Sequence, residues 1–136
     1  MSHNKRTVER YMDAFDRQDH AAVLALLTDD VEWVLPGAYV ARGKAEFDRH
    51  IGDDAFVGRP EIVMIRMVEQ GDVVVAEGRV SPTRKDGSVV RLVFCDVFEL
   101  REGLIARLTS YLMDVTPREG SAAAQSGPAV KRQRKK

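Results

Sequence analysis

The sequence predicts an α+β fold, helices first and strands after. Three observations carry this. Apolar residues recur at helical spacing three times before residue 52. From Glu61 the period changes to two, in long segments separated by turn chemistry. The last of these segments are apolar on both sides, which implies a sheet covered on both faces.

Taken in order, Val8, Tyr11, Met12 and Phe15 fall on one face of a helix over 5–18. Asp19 is placed to cap a second helix, His20 to Leu27. Val31 to Leu35 reads as a short strand, stopped by Pro36-Gly37. Gly43 opens a third helix, Lys44 to Ile51. Residues 52–60 read as a loop whose Phe56 and Val57 plug something. In the next strand Ile62, Met64 and Val68 share one side, with Arg66 among them. Gln70-Gly71-Asp72 turns the chain into a strand over Val73 to Ser81. Lys85-Asp86-Gly87-Ser88 is a hairpin turn, because Asp-Gly supplies positive φ angles. Strands over 89–100 and 104–114 follow, and Pro117 ends the order. Three helices cover one sheet face. A second copy of the chain is the economical cover for the other, so a homodimer through the outer face is expected.

Asp96 stands out in the strand over 89–100. An aspartate flanked by Phe94, Cys95, Val97 and Phe98 is costly to bury as an ion. It must find a partner, stay neutral with a raised pKa, or face a cavity. We take it to point into a ligand pocket. Alternation puts Leu92, Phe94, Asp96 and Phe98 on one side, with Ser110 and Leu112 on the matching side of the next strand. The expected apolar wall is Trp33, Leu35, Phe56, Phe94, Phe98 and Leu112. Cys95 faces the other way and is expected to be a buried, inert thiol. Arg66, Glu77 and Arg79 are expected at solvated or dimer-rim positions.

Composition bounds the remaining classes. At 136 residues one domain is the default, spanning 1–117. The chain carries 21 basic and 21 acidic residues; six of the basic and one of the acidic lie from residue 118 on. The body is thus mildly acidic, which argues against nucleic acid as its main partner. Residues 118–136 read as a disordered, solubilising basic tail that touches phosphates only weakly. A single cysteine excludes an internal disulfide and points to the cytoplasm. There is no signal-peptide pattern and no apolar run of membrane-span length. His3, His20 and His50 form no ligand spacing, so no metal is expected, nor any cofactor.

Three loose motifs occur in order: Leu27-Thr28-Asp29-Asp30-Val31-Glu32-Trp33, Ala41-Arg42-Gly43, and Asp96-Val97-Phe98-Glu99-Leu100-Arg101-Glu102-Gly103-Leu104-Ile105. With the element order, they resemble the nuclear transport factor 2-like superfamily over about residues 4–116. SnoaL-like polyketide cyclases and ketosteroid isomerases look most similar. The resemblance implies a cystatin-like cone, three N-terminal helices packed in a strongly curved, mixed, mostly antiparallel sheet, around a pocket for a small hydrophobic molecule. It implies that Tyr11 matches the isomerases' oxyanion tyrosine. Asp96 matches their oxyanion aspartic acid, or the acid–base aspartate of the cyclases. The isomerases' proton-shuttling carboxylate lies just before a proline, where this chain has Leu35. Limonene epoxide hydrolases share Val97 to Gly103, yet their Asp-Arg-Asp site falls on Gly78, Val80 and Ser110.

The resulting expectation is catalytic Asp96 and Tyr11, with Phe15, Trp33, Leu35, Phe56, Phe94, Phe98, Ser110 and Leu112 around a substrate. The reaction would be proton transfer on a small hydrophobic carbonyl compound, as in an isomerase or cyclase. Two alternatives stay open. Tyr11 and Asp96 form a satisfied buried pair that fixes helix to sheet, or the cone is a non-catalytic binding or dimeric assembly module.

Overall fold

The computed structural model describes residues 2–52 and 56–117. The basic tail, 118–136, lies outside the described residues, as do 53–55 within the expected loop. Helix α1 spans His3–Asp16. It starts earlier than its apolar face suggests, because Ser2 caps it: its Oγ accepts from the Lys5 amide at 3.0 Å. Val8, Tyr11 and Met12 are buried on the inward face.

Asp19 does cap helix α2, His20–Leu24, accepting from the Ala22 amide at 3.1 Å. The helix is three residues shorter than expected. Its apolar run continues to Leu27, but that residue is taken into strand β1, Leu27–Leu35, where it pairs in parallel with Ile105. Helical spacing cannot distinguish a short helix followed by a strand from one longer helix. After Pro36-Gly37 the chain returns as strand β2, Tyr39–Arg42, which the sequence reading lacked. Helix α3 is Gly43–Arg49, and the His20 Nδ1 to Asp48 Oδ1 contact of 2.6 Å ties α2 to it.

Four long strands complete a meander: β3 Phe56–Gln70, β4 Val73–Arg84, β5 Leu92–Arg101 and β6 Leu104–Asp114. The sheet order is β2-β1-β6-β5-β4-β3, and only β1 and β6 run parallel. Together they give the expected fold class: helices packed against a curved, open, mostly antiparallel sheet. Phe56 and Val57 are strand residues rather than loop residues. Gly58 and Pro60 read as breakers, but β3 is an edge strand. Its ladder is interrupted between Val57 and Glu61, so a missing N–H is tolerated there.

A second register shift lies between Met64 and Arg66. It leaves Ile65 as an extra residue and reverses the faces beyond it. Ile62, Met64 and Met67 therefore pack on the core, while Val68 is exposed. The expectation that Val68 shares a side with Met64 fails for that reason. Strand β5 begins at Leu92 rather than Val89, because the Asp86-Gly87 turn is wider than a tight hairpin and Val89 makes only an isolated bridge to Thr83.

The core lies between the helices and the inner sheet face. Phe47 of α3 and Phe98 of β5 are fully buried at its centre. Tyr11 packs edge-on against Phe98, ring centroids 5.3 Å apart.

Candidate functional site

The inner face of the sheet and helix α1 enclose a cavity of about 300 Å³. Two regular elements set its walls. Tyr11, Phe15 and Gln18 lie four and three residues apart and run down the α1 side. On the sheet side, alternation brings Leu92, Phe94 and Asp96 of β5 to the same surface, beside Ser110 and Leu112 of β6.

Nine of the ten singled-out residues open onto this cavity: Tyr11, Phe15, Trp33, Leu35, Phe56, Phe94, Asp96, Ser110 and Leu112. Phe98 does not line it. Its ring is spent on the core beneath Tyr11, so its place in the apolar wall is corrected to core packing.

Asp96 is 9% exposed and pairs across strands with Ser110. Burial pushes its carboxyl from the ordinary range up to about 7, and the Ser110 hydrogen bond pulls part of the way back. The donor direction follows from Trp33. Its indole Nε1–H can only donate, and it does so to Ser110 Oγ at 2.9 Å. The Ser110 proton is then free for Asp96. An indole, a hydroxyl and a carboxyl thus form one chain at the inner end of the cavity.

Tyr11 is 2% exposed. Burial raises its phenol well above the usual value, and the charge of Asp96 raises it further, followed by Tyr39. The phenol is therefore a neutral O–H donor at any ordinary pH. It shares the cavity with a carboxyl poised to exchange its proton near neutrality.

Phe94 owes its position to Gly78, its partner on β4. A Cβ at residue 78 would meet Phe94 Cζ at 2.6 Å and the Val63 carbonyl oxygen at 2.5 Å. The glycine makes room for the ring at the cavity wall.

Sequence reasoning missed three polar members of the wall. Tyr39 lies on the unforeseen β2, and His50 stacks on it, rings 3.9 Å apart and 11° from parallel. Gln18 takes φ +55 at the end of α1. Its heptad spacing from Tyr11 was the one available signal. Among the described residues no group of His, Cys, Asp and Glu could hold a metal ion.

Cys95 is not the buried thiol expected. It is only half-buried on the outer sheet face, where partial burial first, then Asp96 and Glu77, push its pKa up. Arg66 and Glu77 pair on that face at 2.7 Å, both partly exposed.

A family model of the SnoaL-like domain matches residues 8–108. The chain belongs to the SnoaL-like domain family. No match to a curated protein was found. Among solved structures, this SnoaL-like chain is similar to an NTF2-like protein of unknown function from Burkholderia pseudomallei K96243. Identity is 26%, over 83% of this chain and 92% of that one, with a TM-score of 0.74. It is also similar to TerC, crystallised with polyporic acid, at 25% identity, covering 82% and 92%, TM-score 0.73. A protein from Jannaschia sp. CCS1, assigned as a SnoaL-like polyketide cyclase, shares the fold at 17% identity, covering 81% and 85%, TM-score 0.74. No helix among the described residues is long and apolar enough to cross a membrane.

Proposed function

We propose that this SnoaL-like protein binds a flat, hydrophobic carbonyl compound and moves a proton on it, as an isomerase or cyclase does. The observation that carries the reading is Asp96: a carboxyl facing an apolar cavity, with its pKa near 7 and a phenol opening onto the same space. A buried acid held near neutrality spends comparable time as carboxylate and as carboxylic acid, which suits a group that must take a proton and return it.

The chemistry follows from the groups present. The Asp96 carboxylate accepts a proton from the carbon next to the carbonyl. The C–H electron pair moves into a new C=C bond, and the carbonyl π pair moves onto oxygen. The Tyr11 O–H donates to that oxygen, and its bond strengthens as negative charge grows there. The protonated Asp96 then returns its proton to a different carbon, or the enolate carbon adds to a second carbonyl carbon of the same molecule, whose π pair moves onto its oxygen and takes the proton from Asp96. The Trp33–Ser110 chain steadies the charged carboxylate between these steps.

β-Tetralone dissolved in heavy water tests this without knowledge of the natural substrate. Wild-type protein should speed deuterium exchange at its acidic methylene, followed by proton NMR, and Asp96→Asn should not. Exchange no faster than in buffer would sink the reading.

A second reading is favoured by Leu35, which stands where the isomerases carry a second carboxylate: the same cavity binds a ligand without turning it over. A complex seen by native mass spectrometry, with no exchange activity, would select it. We also propose that the chain forms a homodimer through the outer sheet face. Ile65, Val93, Tyr111 and Met113 support this, being exposed by between 38% and 64% on that surface.

A further inference from the structure

We infer that the cavity has two polar ends, and that the Gln18 carboxamide is the outer anchor for an elongated ligand carrying a hydrogen-bonding group at each end. This rests on the proposed pocket reading and adds the shape and chemistry of its occupant.

The placement comes from regular geometry. Tyr11 lies within α1 and Gln18 two residues past its end at Asp16, so Gln18 is placed beyond Phe15 in the direction the helix runs. Both line the cavity, with Phe15 between them. The opposite wall runs the same way. From Asp96 to Leu92 the strand covers about 13 Å at 3.4 Å per residue, with Phe94 between. Helix and strand are oriented alike by their far ends, since Thr7 Oγ1 donates to the Gly103 carbonyl, just beyond β5, at 3.1 Å. Tyr11 therefore sits over the Asp96 end, and Gln18 over the Leu92 end.

The polar atoms divide accordingly. Tyr11, Asp96, Ser110 and the Trp33 indole occupy the inner end. Gln18 stands toward the other end; Tyr39 and His50, stacked on each other, also line the wall, and the rest of the stretch between is aromatic and aliphatic. A carboxamide both donates and accepts, so it matches a hydroxyl or a carbonyl equally well.

The backbone at Gln18 adds an independent reason. Its φ of +55 closes α1 in the left-handed region. Glycine, or less often asparagine, normally fills that position because a Cβ is strained there. Gln18 amide nitrogen reaches back to Phe15 O at 2.9 Å, so the left-handed turn is part of the helix stop. A glycine would make the same stop with less strain. What glycine lacks is the side chain, which lies against Gly52 at the cavity edge, Oε1 3.4 Å from where a Cβ of residue 52 would be. Retained strain at a cavity wall marks a side chain kept for what it touches.

The test compares para-phenylphenol with para,para′-dihydroxybiphenyl, two rigid flat probes that differ by one hydroxyl at the far end. Trp33 is the only tryptophan in the chain and lines the cavity, so quenching of its fluorescence reports occupancy. Wild-type protein should bind the diol about tenfold more tightly than the mono-ol, the worth of one good hydrogen bond. Gln18→Leu should keep the mono-ol affinity and lose the diol preference. Gln18→Gly should lose the same preference while melting at a higher temperature, since it relieves the positive φ. A role confined to packing on Gly52 would instead leave the preference intact in both variants, and that result overturns the inference. So does wild-type binding of both probes within about twofold. If neither probe quenches Trp33, the pocket reading falls together with this one.

Discussion

Asp96 and Cys95 are neighbours on β5, yet they live in different chemical worlds. Asp96 turns inward under the helices, where burial drives its carboxyl to about 7. Cys95 turns outward onto a face that no helix among the described residues covers, beside the paired and partly exposed Glu77. One strand thus separates a buried, cavity-lining surface from an exposed, apolar one. The proposed chemistry is placed on the first, because a charge developing in a buried site is less screened by water. The second suits another protein surface. The two faces should respond to substitution in opposite ways.

The sharpest break is chemical. Asp96→Asn keeps the side chain's size but removes the base, and should lower β-tetralone exchange by a factor of about 10²–10⁴. Double substitution of Tyr111 and Met113 by glutamate on the outer face should leave that rate unchanged and abolish the proposed dimer, as read by sedimentation. A slowed exchange in the outer-face variant would show that the faces are not independent.

Stability against pH separates them next. Because the folded pKa of Asp96 lies above its unfolded value, the folded state holds more protons between about pH 4 and pH 7. Stability is therefore greatest at the acid side of that window and falls as pH rises through it, by about 4 kcal/mol in the limit of the full shift. Urea titrations should show this decline in the wild type and lose it in Asp96→Asn. Ser110→Ala removes the bond that holds the carboxyl down, so the midpoint of the decline should move upward. A flat profile in the wild type would mean that Asp96 is solvated.

Packing gives a smaller contrast. Gly78→Ala puts a methyl against the Val63 carbonyl and the Phe94 ring, and should cost about 1–3 kcal/mol in thermal unfolding. It should also weaken binding in the cavity, since Phe94 must shift. The smallest effect is expected outside. Cys95→Ser should change stability by no more than about 0.5 kcal/mol and leave exchange untouched.

Much of this contrast was legible in the chain. Period two along β5 and β6 assigns Phe94, Asp96, Ser110 and Leu112 to one side whatever surrounds them, because alternation is a property of the extended backbone. Helical spacing likewise sets Tyr11 and Phe15 on one stripe of α1. Nothing local distinguished Phe98 from Phe94. Both point inward, and only the approach of Tyr11 decides that one ring fills the core while the other lines a space. The shift between Met64 and Arg66 was equally invisible, since it depends on how β3 meets β4.

By itself, then, the sequence determined the order of the helices and of the strands other than β2, the turns, and the side to which the inward residues of β5 and β6 point. These follow from backbone periods and from the φ angles that glycine and proline permit. The tertiary structure decided where α2 yields to β1, that Tyr39 returns as a strand to stack on His50, and that space remains beside Asp96. The first and the last depend on partners remote in the chain: Ile105 for Leu27, and Trp33 for Ser110. Contacts of that kind carry no local signature, because their free energy is gained only when separate segments meet.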